Sequence, residues 1–253
     1  MSTSTLASQQ LESGEFPSYD AEAFARQALS SPAALAAVID HTLLKPEATR
    51  EQALKLAREA AEFRFACAMV NPVWTGLVAA ELAGTGIPVG VVVGFPLGAN
   101  LTSTKREETS ALLRLGAKEI DMVLSIGLLK SGETTRVARD IEAVVEVSHD
   151  AGAIVKVILE TCLLTTEEKI LASEIACAAG VDFLKTSTGF STSGATAQDV
   201  ALLRGVAGSR CGVKASGGIR TLADARTMLE AGANRIGASA SVAIVQALTS
   251  QAI

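Results

Sequence analysis

The stretch AAGVDFLKTS (residues 178–187) contains, within ten residues, the end of a helix, a buried strand and a change to polar side chains. Gly180 permits the left-handed backbone conformation that commonly ends a helix. Val181 and Leu184 are typical of a strand covered on both faces, as strands of parallel sheets are. Lys185 then places an amino group at the carboxyl end of that strand. If the same pattern recurs along the chain, it predicts alternating strands and helices around a parallel sheet.

The pattern does recur, from about residue 35 onward. Helix-ending glycines precede four apolar runs, in LGAKEI, AGAIV, AGVDF and AGANRI. Capping-box spacing at Thr49 with Gln52, and at Thr165 with Glu168, indicates two helix starts. The eight predicted strands are AVIDHTLL (37–44), FACAMV (65–70), VGVVVGF (89–95), EIDMVLS (119–125), IVKVILE (154–160), VDFLKTS (181–187), CGVKASG (211–217) and NRIGAS (234–239).

Eight strand–helix units of similar length predict an α/β fold with a single (β/α)8 TIM barrel. A doubly wound open sheet is the structural alternative, but the evenness of the units favours a closed barrel. Residues 1–20 are rich in Ser, Thr and Gln, and we expect them to form a flexible N-terminal arm. Residues 21–253 are expected to form the barrel domain. A helix at about residues 20–30, beginning after Asp20, is predicted to cover the bottom of the barrel.

The composition argues against several classes of function. The 253 residues carry a formal net charge of −5 with no basic tract, which argues against a nucleic-acid or membrane-surface partner. No signal peptide and no apolar span long enough to cross a bilayer is visible in the sequence. The four cysteines form no C-x-x-C pair, and the two histidines have no ligand spacing. We therefore expect reduced thiols, a cytoplasmic protein, and neither a metal nor a cofactor.

Polar side chains near strand ends are informative because barrel active sites lie at the carboxyl ends of the strands. Side chains alternate between the two faces of a strand, so residues two or four apart share a face. Polar groups inside a barrel are costly unless they are paired. Four strands are predicted to present such groups on one face: Lys185 with Ser187, Lys214 with Ser216, Asp121 with Ser125, and Lys156 with Glu160.

Lys185, Lys214 and Asp121 have the composition of a Schiff-base site. An amine attacks a carbonyl only when it is unprotonated, and a second ammonium close by lowers the pKa of the first. A carboxylate such as Asp121 can move the protons that imine formation requires. An internal ion pair between Lys185 and Asp121 explains the residues equally well. A third alternative, with the lysines pointing outward between helices, has less support.

Glycine turns after the last strands predict a site for an anion. SGGIRT (216–221) follows the seventh strand and IGAS (236–239) ends the eighth, where barrels commonly bind phosphate. Gly217 and Gly218 would let backbone N–H groups approach a phosphate, and Ser239 adds a hydroxyl donor. Gly189, in the turn after the sixth strand, is a further candidate. The predicted substrate is a phosphorylated carbonyl compound.

Taken together, these stretches resemble the deoxyribose-phosphate aldolase family. The resemblance covers roughly residues 35–245 and depends on IDHTLLKPEAT, MVNP, VVVGFPLGA, EIDMVLSIGLLKSGE, VKVILET, DFLKTSTGF, VKASGGIRT and RIGAS. It implies a metal-independent class I aldolase on a TIM barrel. Such an enzyme cleaves 2-deoxy-D-ribose 5-phosphate to acetaldehyde and D-glyceraldehyde 3-phosphate.

The resemblance also implies roles for individual residues. Lys185 would form the Schiff base, Lys214 would perturb its pKa and share in proton transfer, and Asp121 would donate and accept protons. Asp40 of IDHT is a candidate partner for a substrate hydroxyl or for Lys214, although a solvated aspartate is nearly as plausible. Two further candidates for substrate contact follow the Schiff-base lysine directly: Thr186 and Ser187.

Two departures from the family pattern concern the site. Met69 stands where a cysteine is frequent in the family, and Ala240 stands where a second serine often joins the phosphate site. A homodimer is a possible assembly, to which the N-terminal arm could contribute. Two other functions remain open: another Schiff-base barrel such as a transaldolase-like enzyme, and a phosphosugar-binding barrel without catalysis.

Overall fold

Eight parallel strands form a closed barrel in the computed structural model, which describes residues 19–251. Each strand pairs with the next in chain order, and the eighth pairs with the first. This last pairing excludes the doubly wound sheet and confirms the predicted barrel. No predicted strand end differs from the observed one by more than two residues. The strands are Ile39–Leu43 (β1), Cys67–Val70 (β2), Val89–Val93 (β3), Ala117–Val123 (β4), Ile154–Ile158 (β5), Phe183–Lys185 (β6), Gly212–Ser216 (β7) and Arg235–Ala238 (β8).

Helices surround the barrel and connect its strands. Both predicted capping boxes are present, at Thr49 and Thr165, because each threonine side chain accepts from the backbone three residues later. Short 3-10 turns lie at Pro72–Trp74 and Thr161–Leu163. The α-helices are Ala21–Ala28 (α1), Pro32–Ala36 (α2), Arg50–Phe63 (α3), Thr75–Glu81 (α4), Thr102–Arg114 (α5), Ile126–Lys130 (α6), Thr134–Asp150 (α7), Thr166–Ala178 (α8), Ala197–Ala207 (α9), Leu222–Glu230 (α10) and Ser241–Gln251 (α11).

The helix ahead of the barrel begins where the sequence predicts it. The Asp20 side chain accepts a hydrogen bond of 2.8 Å from the Ala23 backbone N–H at the start of α1. Just before it, Tyr19 lies under the guanidinium of Arg204, 3.9 Å from the ring centroid. Arg204 donates to the carbonyl of Gly232, in the turn that leads into β8. The predicted arm lies outside the described residues, apart from its last two positions.

Alternation along the strands separates two apolar layers. One side of the strands packs against the helices in a large core that includes Ile39, Ala68, Val70 and Leu184. A second, smaller cluster fills part of the barrel interior, where Gly90 leaves the space that its neighbours occupy. A Cβ on Gly90 would lie 2.5 Å from the sulfur of Cys67 and from the terminal carbon of Met69. This interior cluster comprises Leu44, Cys67, Met69 and Val92, with Phe95 against it.

A buried ion pair connects α5 to α7 outside the barrel interior. Lys105 Nζ lies 2.5 Å from a carboxylate oxygen of Asp140, and both side chains are almost fully buried. The same amino group donates to the carbonyl of Val123 at 2.9 Å and to the hydroxyl of Ser125 at 3.2 Å. The pair therefore ties two helices to the end of β4.

Replacing Lys105 with Met is expected to lower the free energy of unfolding by about 3–5 kcal/mol, because it leaves Asp140 buried without its cation. Urea unfolding followed by circular dichroism measures the change. The double replacement Lys105→Met with Asp140→Leu should recover most of the loss, since no uncompensated charge remains. A matched surface pair, Arg136 with Glu133, is largely exposed, so Arg136→Met should cost about 1 kcal/mol or less. Equal losses of unfolding free energy in Lys105→Met and Arg136→Met would contradict this account.

Within residues 19–251, no helix has the length and apolar character that crossing a membrane requires.

Candidate active site

A cavity of about 390 Å³ opens at the carboxyl ends of the strands. Lys185 and Lys214 lie on its wall, as expected for polar residues late in β6 and β7. The rest of the wall comes from the ends of β1 and β8 and from the loops after β6 and β7. Its other residues are Thr42, Leu43, Leu44, Lys45, Thr188, Gly189, Phe190, Ser216, Gly217, Gly218, Ile219, Arg220, Gly237, Ala238 and Ser239.

The structure brings Lys185, Lys214 and Asp121 into direct contact. The two lysine amino groups each lie 2.7 Å from the same carboxylate oxygen of Asp121. All three side chains are buried inside the barrel, which excludes the outward-pointing alternative. The ion pair between Lys185 and Asp121 is also present. Lys185 therefore pairs with Asp121 and lies on the cavity wall at the same time. Asp121 itself lies behind the lysines, off the cavity wall.

Four more ionised side chains extend this cluster deeper into the barrel. Lys156 Nζ lies 2.8 Å from the second oxygen of Asp121 and 2.5 Å from Glu119. The guanidinium of Arg235 lies 2.9 Å from Asp40 and 3.2 Å from Glu119. Glu119 and Arg235 were not among the site residues predicted from the sequence. The signal for Glu119 was available, because it is two residues from Asp121 on one face of β4.

The charges of the cluster balance only when one lysine is neutral. Four cations share three carboxylates, and the seven side chains are buried or nearly so. Because a buried excess charge is costly, loss of one proton from a lysine relieves the imbalance. The cations are Lys156, Lys185, Lys214 and Arg235, and the carboxylates are Asp40, Glu119 and Asp121.

The pKa of Lys185 is lowered to about 8. Burial is the largest cause, the positive charges of Lys214 and Lys156 add to it, and Asp121 opposes it. The charge of Lys214, from which the sequence predicts the shift, explains only part of it, since burial contributes more. Despite its own burial, Asp121 has a pKa held well below its usual value by the three lysines. Asp121 therefore stays ionised at neutral pH.

The pKa of Lys185 predicts the acid limb of the pH profile. At neutral pH roughly one amine in ten is unprotonated at a pKa of about 8, against about one in three thousand at an ordinary lysine pKa. We expect kcat/KM to fall about tenfold for each pH unit below that pKa, because the reactive form is the unprotonated amine. Steady-state kinetics between about pH 5 and 9 measures it, in buffers where the protein stays folded. A profile flat across this range would contradict the assignment.

Asp40 contributes to the cluster and does not lie on the cavity wall. It is fully buried, so it is not a solvated strand-end aspartate. One oxygen lies 2.5 Å from Lys214 Nζ, which matches the predicted partnership with that lysine. Together with the positive charges of Arg235 and Lys156, Lys214 outweighs the effect of burial and lowers the pKa of Asp40.

Thr186 and Ser187 lie behind the wall, where they join β6 to β7. The Thr186 hydroxyl accepts from the backbone N–H of Ser216 at 3.1 Å and donates to its carbonyl at 3.2 Å. The Ser187 carbonyl accepts from the Ser216 hydroxyl at 2.6 Å. The structure thus places both residues where they shape the cavity from behind, and their contact with substrate stays a prediction.

All four predicted phosphate ligands lie on one part of the cavity wall: Gly189, Gly217, Gly218 and Ser239. Gly217 has to be a glycine, because its φ is 86° and an added Cβ would lie 3.0 Å from the Cα of Gly194. The helix α11 begins two residues after Ser239, and its N-terminus favours an anion there. Two cationic wall residues were not predicted, Lys45 and Arg220.

Glu160 holds one loop of the cavity in place. It was predicted to share a face with Lys156, but β5 ends at Ile158 and Glu160 adopts the left-handed conformation, with φ 55°. One carboxylate oxygen accepts from the backbone N–H of Thr188 at 3.2 Å, and the other bonds to its hydroxyl. That hydroxyl accepts in turn from the Phe190 backbone at 3.0 Å. Glu160 therefore fixes the turn that carries Gly189.

Three buried groups stand close enough together to suggest a metal ligand set. Atoms of Asp40, Cys67 and Glu119 lie within 4.8 Å of one another. However, both carboxylates already contact protein cations, among them Arg235. Burial, supported by the charges of Glu119 and Asp40, raises the pKa of the Cys67 thiol well above its usual value, which disfavours a thiolate ligand. Protein cations such as Arg235 therefore already neutralise the carboxylates of this candidate metal site.

The fold and the cavity define the class of protein: a (β/α)8-barrel enzyme with paired lysine amino groups at the carboxyl end of its strands. Comparison with known proteins narrows that class. Residues 34–247 match the family described as DeoC/LacD family aldolase. The chain belongs to this aldolase family.

Proteins that are similar over most of the chain are named deoxyribose-phosphate aldolase. The deoxyribose-phosphate aldolase of Listeria monocytogenes is 57% identical over 211 residues, which cover 83% of this chain and 94% of that protein. The deoxyribose-phosphate aldolase of Bacillus cytotoxicus is 55% identical with the same coverage. Among solved structures, the tetrameric deoxyribose phosphate aldolase from Aeropyrum pernix has a TM-score of 0.85 at 37% identity. That match covers 93% of this chain and all of the other.

Proposed function

We propose that this protein is a class I aldolase that reversibly cleaves 2-deoxy-D-ribose 5-phosphate to acetaldehyde and D-glyceraldehyde 3-phosphate. The observation that carries the proposal is the amino group of Lys185. It lies on the cavity wall, its pKa is about 8, and it lies 2.7 Å from Asp121. The names of the relatives support the choice of substrate.

The proposed reaction starts with attack of neutral Lys185 on the aldehyde carbon C1 of the open-chain sugar. Loss of water from the carbinolamine gives an iminium ion, which withdraws electrons from the C2–C3 bond. Removal of the proton from the C3 hydroxyl then breaks this bond and releases glyceraldehyde 3-phosphate. The remaining enamine takes a proton at C2, and hydrolysis frees acetaldehyde and Lys185.

Asp121 and Lys214 are proposed to move the protons in this sequence. Asp121 contacts both lysine amino groups through one oxygen, so a proton leaving Lys185 has an acceptor and a second carrier within hydrogen-bond distance. Asp40 is proposed to act on Lys214 through its negative charge, since one carboxylate oxygen lies 2.5 Å from that amino group. Two residues are proposed to act by shaping the wall beside the imine: Thr186 and Ser187.

The substrate phosphate is proposed to bind at the glycine turns, on Gly189, Gly217, Gly218 and Ser239. Their position at the loops after β6, β7 and β8 suits a phosphate, since α11 begins two residues after Ser239. The sugar would then extend from this end of the cavity to Lys185. No step of this proposal requires a metal or an organic cofactor.

A homodimer in the cytoplasm remains the proposed state of the protein. The tetramer belongs to the Aeropyrum pernix aldolase, and sedimentation analysis would establish the assembly of this one.

Borohydride trapping tests the covalent step. Borohydride added together with acetaldehyde should reduce the imine and leave an ethyl group on Lys185, which peptide mass spectrometry locates. The same treatment without aldehyde is the control and should leave the lysine unmodified. An adduct on another lysine, or none in an active preparation, would defeat the assignment.

Two alternatives give different results in solution. A transaldolase-like enzyme would form the adduct but prefer ketose phosphates in a substrate panel. A binding protein without catalysis would release no glyceraldehyde 3-phosphate from deoxyribose 5-phosphate.

A further inference from the structure

Two cysteines lie in contact on the end of the barrel opposite the cavity. Cys177 is in the last turn of α8, and Cys211 directly precedes β7. Their sulfur atoms are 3.4 Å apart, and both residues are half-buried, so a small oxidant can reach them. A disulfide requires about 2.0 Å between the sulfurs, so they must approach by roughly a further 1.4 Å to form the bond.

An ion pair next to the thiols holds the two segments together. Arg210, the neighbour of Cys211, makes two hydrogen bonds of 2.8 and 3.0 Å to the carboxylate of Glu174. Glu174 lies one turn before Cys177 on α8. This ion pair therefore links the two segments that carry the sulfurs.

The surroundings make the two thiols unequal. The hydrogen bond between the two sulfurs lowers the pKa of Cys177, and the guanidinium of Arg210 adds to the effect, while burial opposes it. The pKa of Cys211 is raised by the same hydrogen bond and by burial. Because the thiolate is the reactive form, we assign the first attack on an oxidant to Cys177, the thiol of this contacting pair whose pKa is lowered.

We propose that Cys177 and Cys211 form an oxidation site, at which a hydroperoxide converts the two thiols to an intramolecular disulfide. The Cys177 thiolate attacks one peroxide oxygen, the O–O bond breaks, and the other oxygen leaves as water or an alcohol. The product is a sulfenic acid on Cys177. The Cys211 sulfur then attacks the Cys177 sulfur and displaces hydroxide, which leaves as water with the Cys211 proton.

The bridge would close a loop between positions 34 residues apart and restrict the unfolded chain. We expect oxidation to raise the melting temperature by about 5 °C or more, because a loop of this length falls in the range where disulfides stabilise. The site needs no substrate and lies away from Lys185. A test of this cysteine pair is therefore independent of the proposed aldolase activity.

The test treats the full-length protein with a small excess of hydrogen peroxide under native conditions. Peptide mapping without reduction should find Cys177 linked to Cys211, two of the four thiols should be lost, and dithiothreitol should reverse the melting shift. Cys211→Ser should instead leave a sulfenic acid on Cys177 that dimedone labels, with no gain in melting temperature. Cys162 is the matched control, since it is half-buried and its sulfur lies 3.4 Å from the Ser191 hydroxyl rather than from a thiol.

Cys162→Ser should behave as the unmodified protein in every measurement. The proposal is overturned if peroxide leaves Cys177 and Cys211 reduced while Cys162 is oxidised. A disulfide between two molecules, or an intramolecular bridge without a melting shift, would overturn it as well. Even if a serine variant fails to fold, the peptide map of the unmodified protein shows whether Cys177 and Cys211 are linked.

Discussion

Replacing Lys185 with Met is expected to lower kcat/KM for deoxyribose 5-phosphate cleavage by about four orders of magnitude or more, because it removes the wall amine whose pKa is lowered to about 8. Lys214, the other lysine of the cluster that reaches the wall, contacts two carboxylates, Asp121 and Asp40, whereas Lys185 contacts Asp121 alone among the carboxylates of residues 19–251. Release of glyceraldehyde 3-phosphate, measured with a coupled dehydrogenase, gives the rate. Borohydride with acetaldehyde should then leave no adduct at position 185.

The fold should survive this replacement, since it leaves three cations and three carboxylates in the cluster. The pKa of Lys185 is lower in the folded protein than in the unfolded chain, where it is ordinary. The unfolded chain therefore binds more protons, and Lys185 reduces stability at pH values below about 8. That cost diminishes as the pH rises from about 8 toward the unfolded pKa. Lys185→Met should thus unfold at pH 7 with at least the free energy of the unmodified protein.

A surface lysine supplies the matched control. Lys130 pairs with Glu168 at 2.8 Å and is 43% exposed, so Lys130→Met should leave both the rate and the stability nearly unchanged. Isothermal titration separates binding from chemistry, because Lys185→Met keeps the glycine turns and should still bind the phosphosugar. Residual cleavage within about a hundredfold of the unmodified enzyme would show that another group forms the imine.

The barrel could be predicted from the sequence because its signals are local. A glycine such as Gly180 ends the helix before four of the apolar runs, and the strand–helix unit repeats eight times. The positions of Lys185 and Lys214 could also be predicted, since a strand alternates its faces and barrel chemistry occurs at carboxyl ends. Which lysine forms the imine could not be decided from spacing and was taken from the family resemblance.

The remaining parts of the site depend on closure of the barrel. Arg235 reaches Glu119 across the interior, from β8 to β4, and that distance is set only when β8 pairs with β1. Burial is the largest cause of the lowered pKa of Lys185, and it depends on the packed barrel rather than on the residues adjacent in the sequence. The backbone conformation of Glu160 could not be predicted, because the left-handed region is rare for a glutamate. The surrounding hydrogen bonds stabilise that conformation.

Replacing Lys214 with Met is expected to have the second largest effect on cleavage. Its positive charge helps to lower the pKa of Lys185, so its removal raises that pKa and reduces the neutral amine available at pH 7. The replacement also removes an amino group that is 2.7 Å from Asp121 and can carry a proton. We expect kcat/KM to fall by about 10²–10⁴-fold. The acid limb of its pH profile should move to higher pH.

Lys214→Arg separates the two contributions. A guanidinium keeps the positive charge beside Lys185 but cannot release a proton near neutral pH. The acid limb should therefore remain near its original pH in this variant, while kcat stays low. The fold should persist in both variants, because Asp40 retains Arg235 and Asp121 retains Lys156 as partners. If Lys214→Met cleaves at a near-normal rate, or if its acid limb moves to lower pH, the positive charge at position 214 does not control the reactive amine.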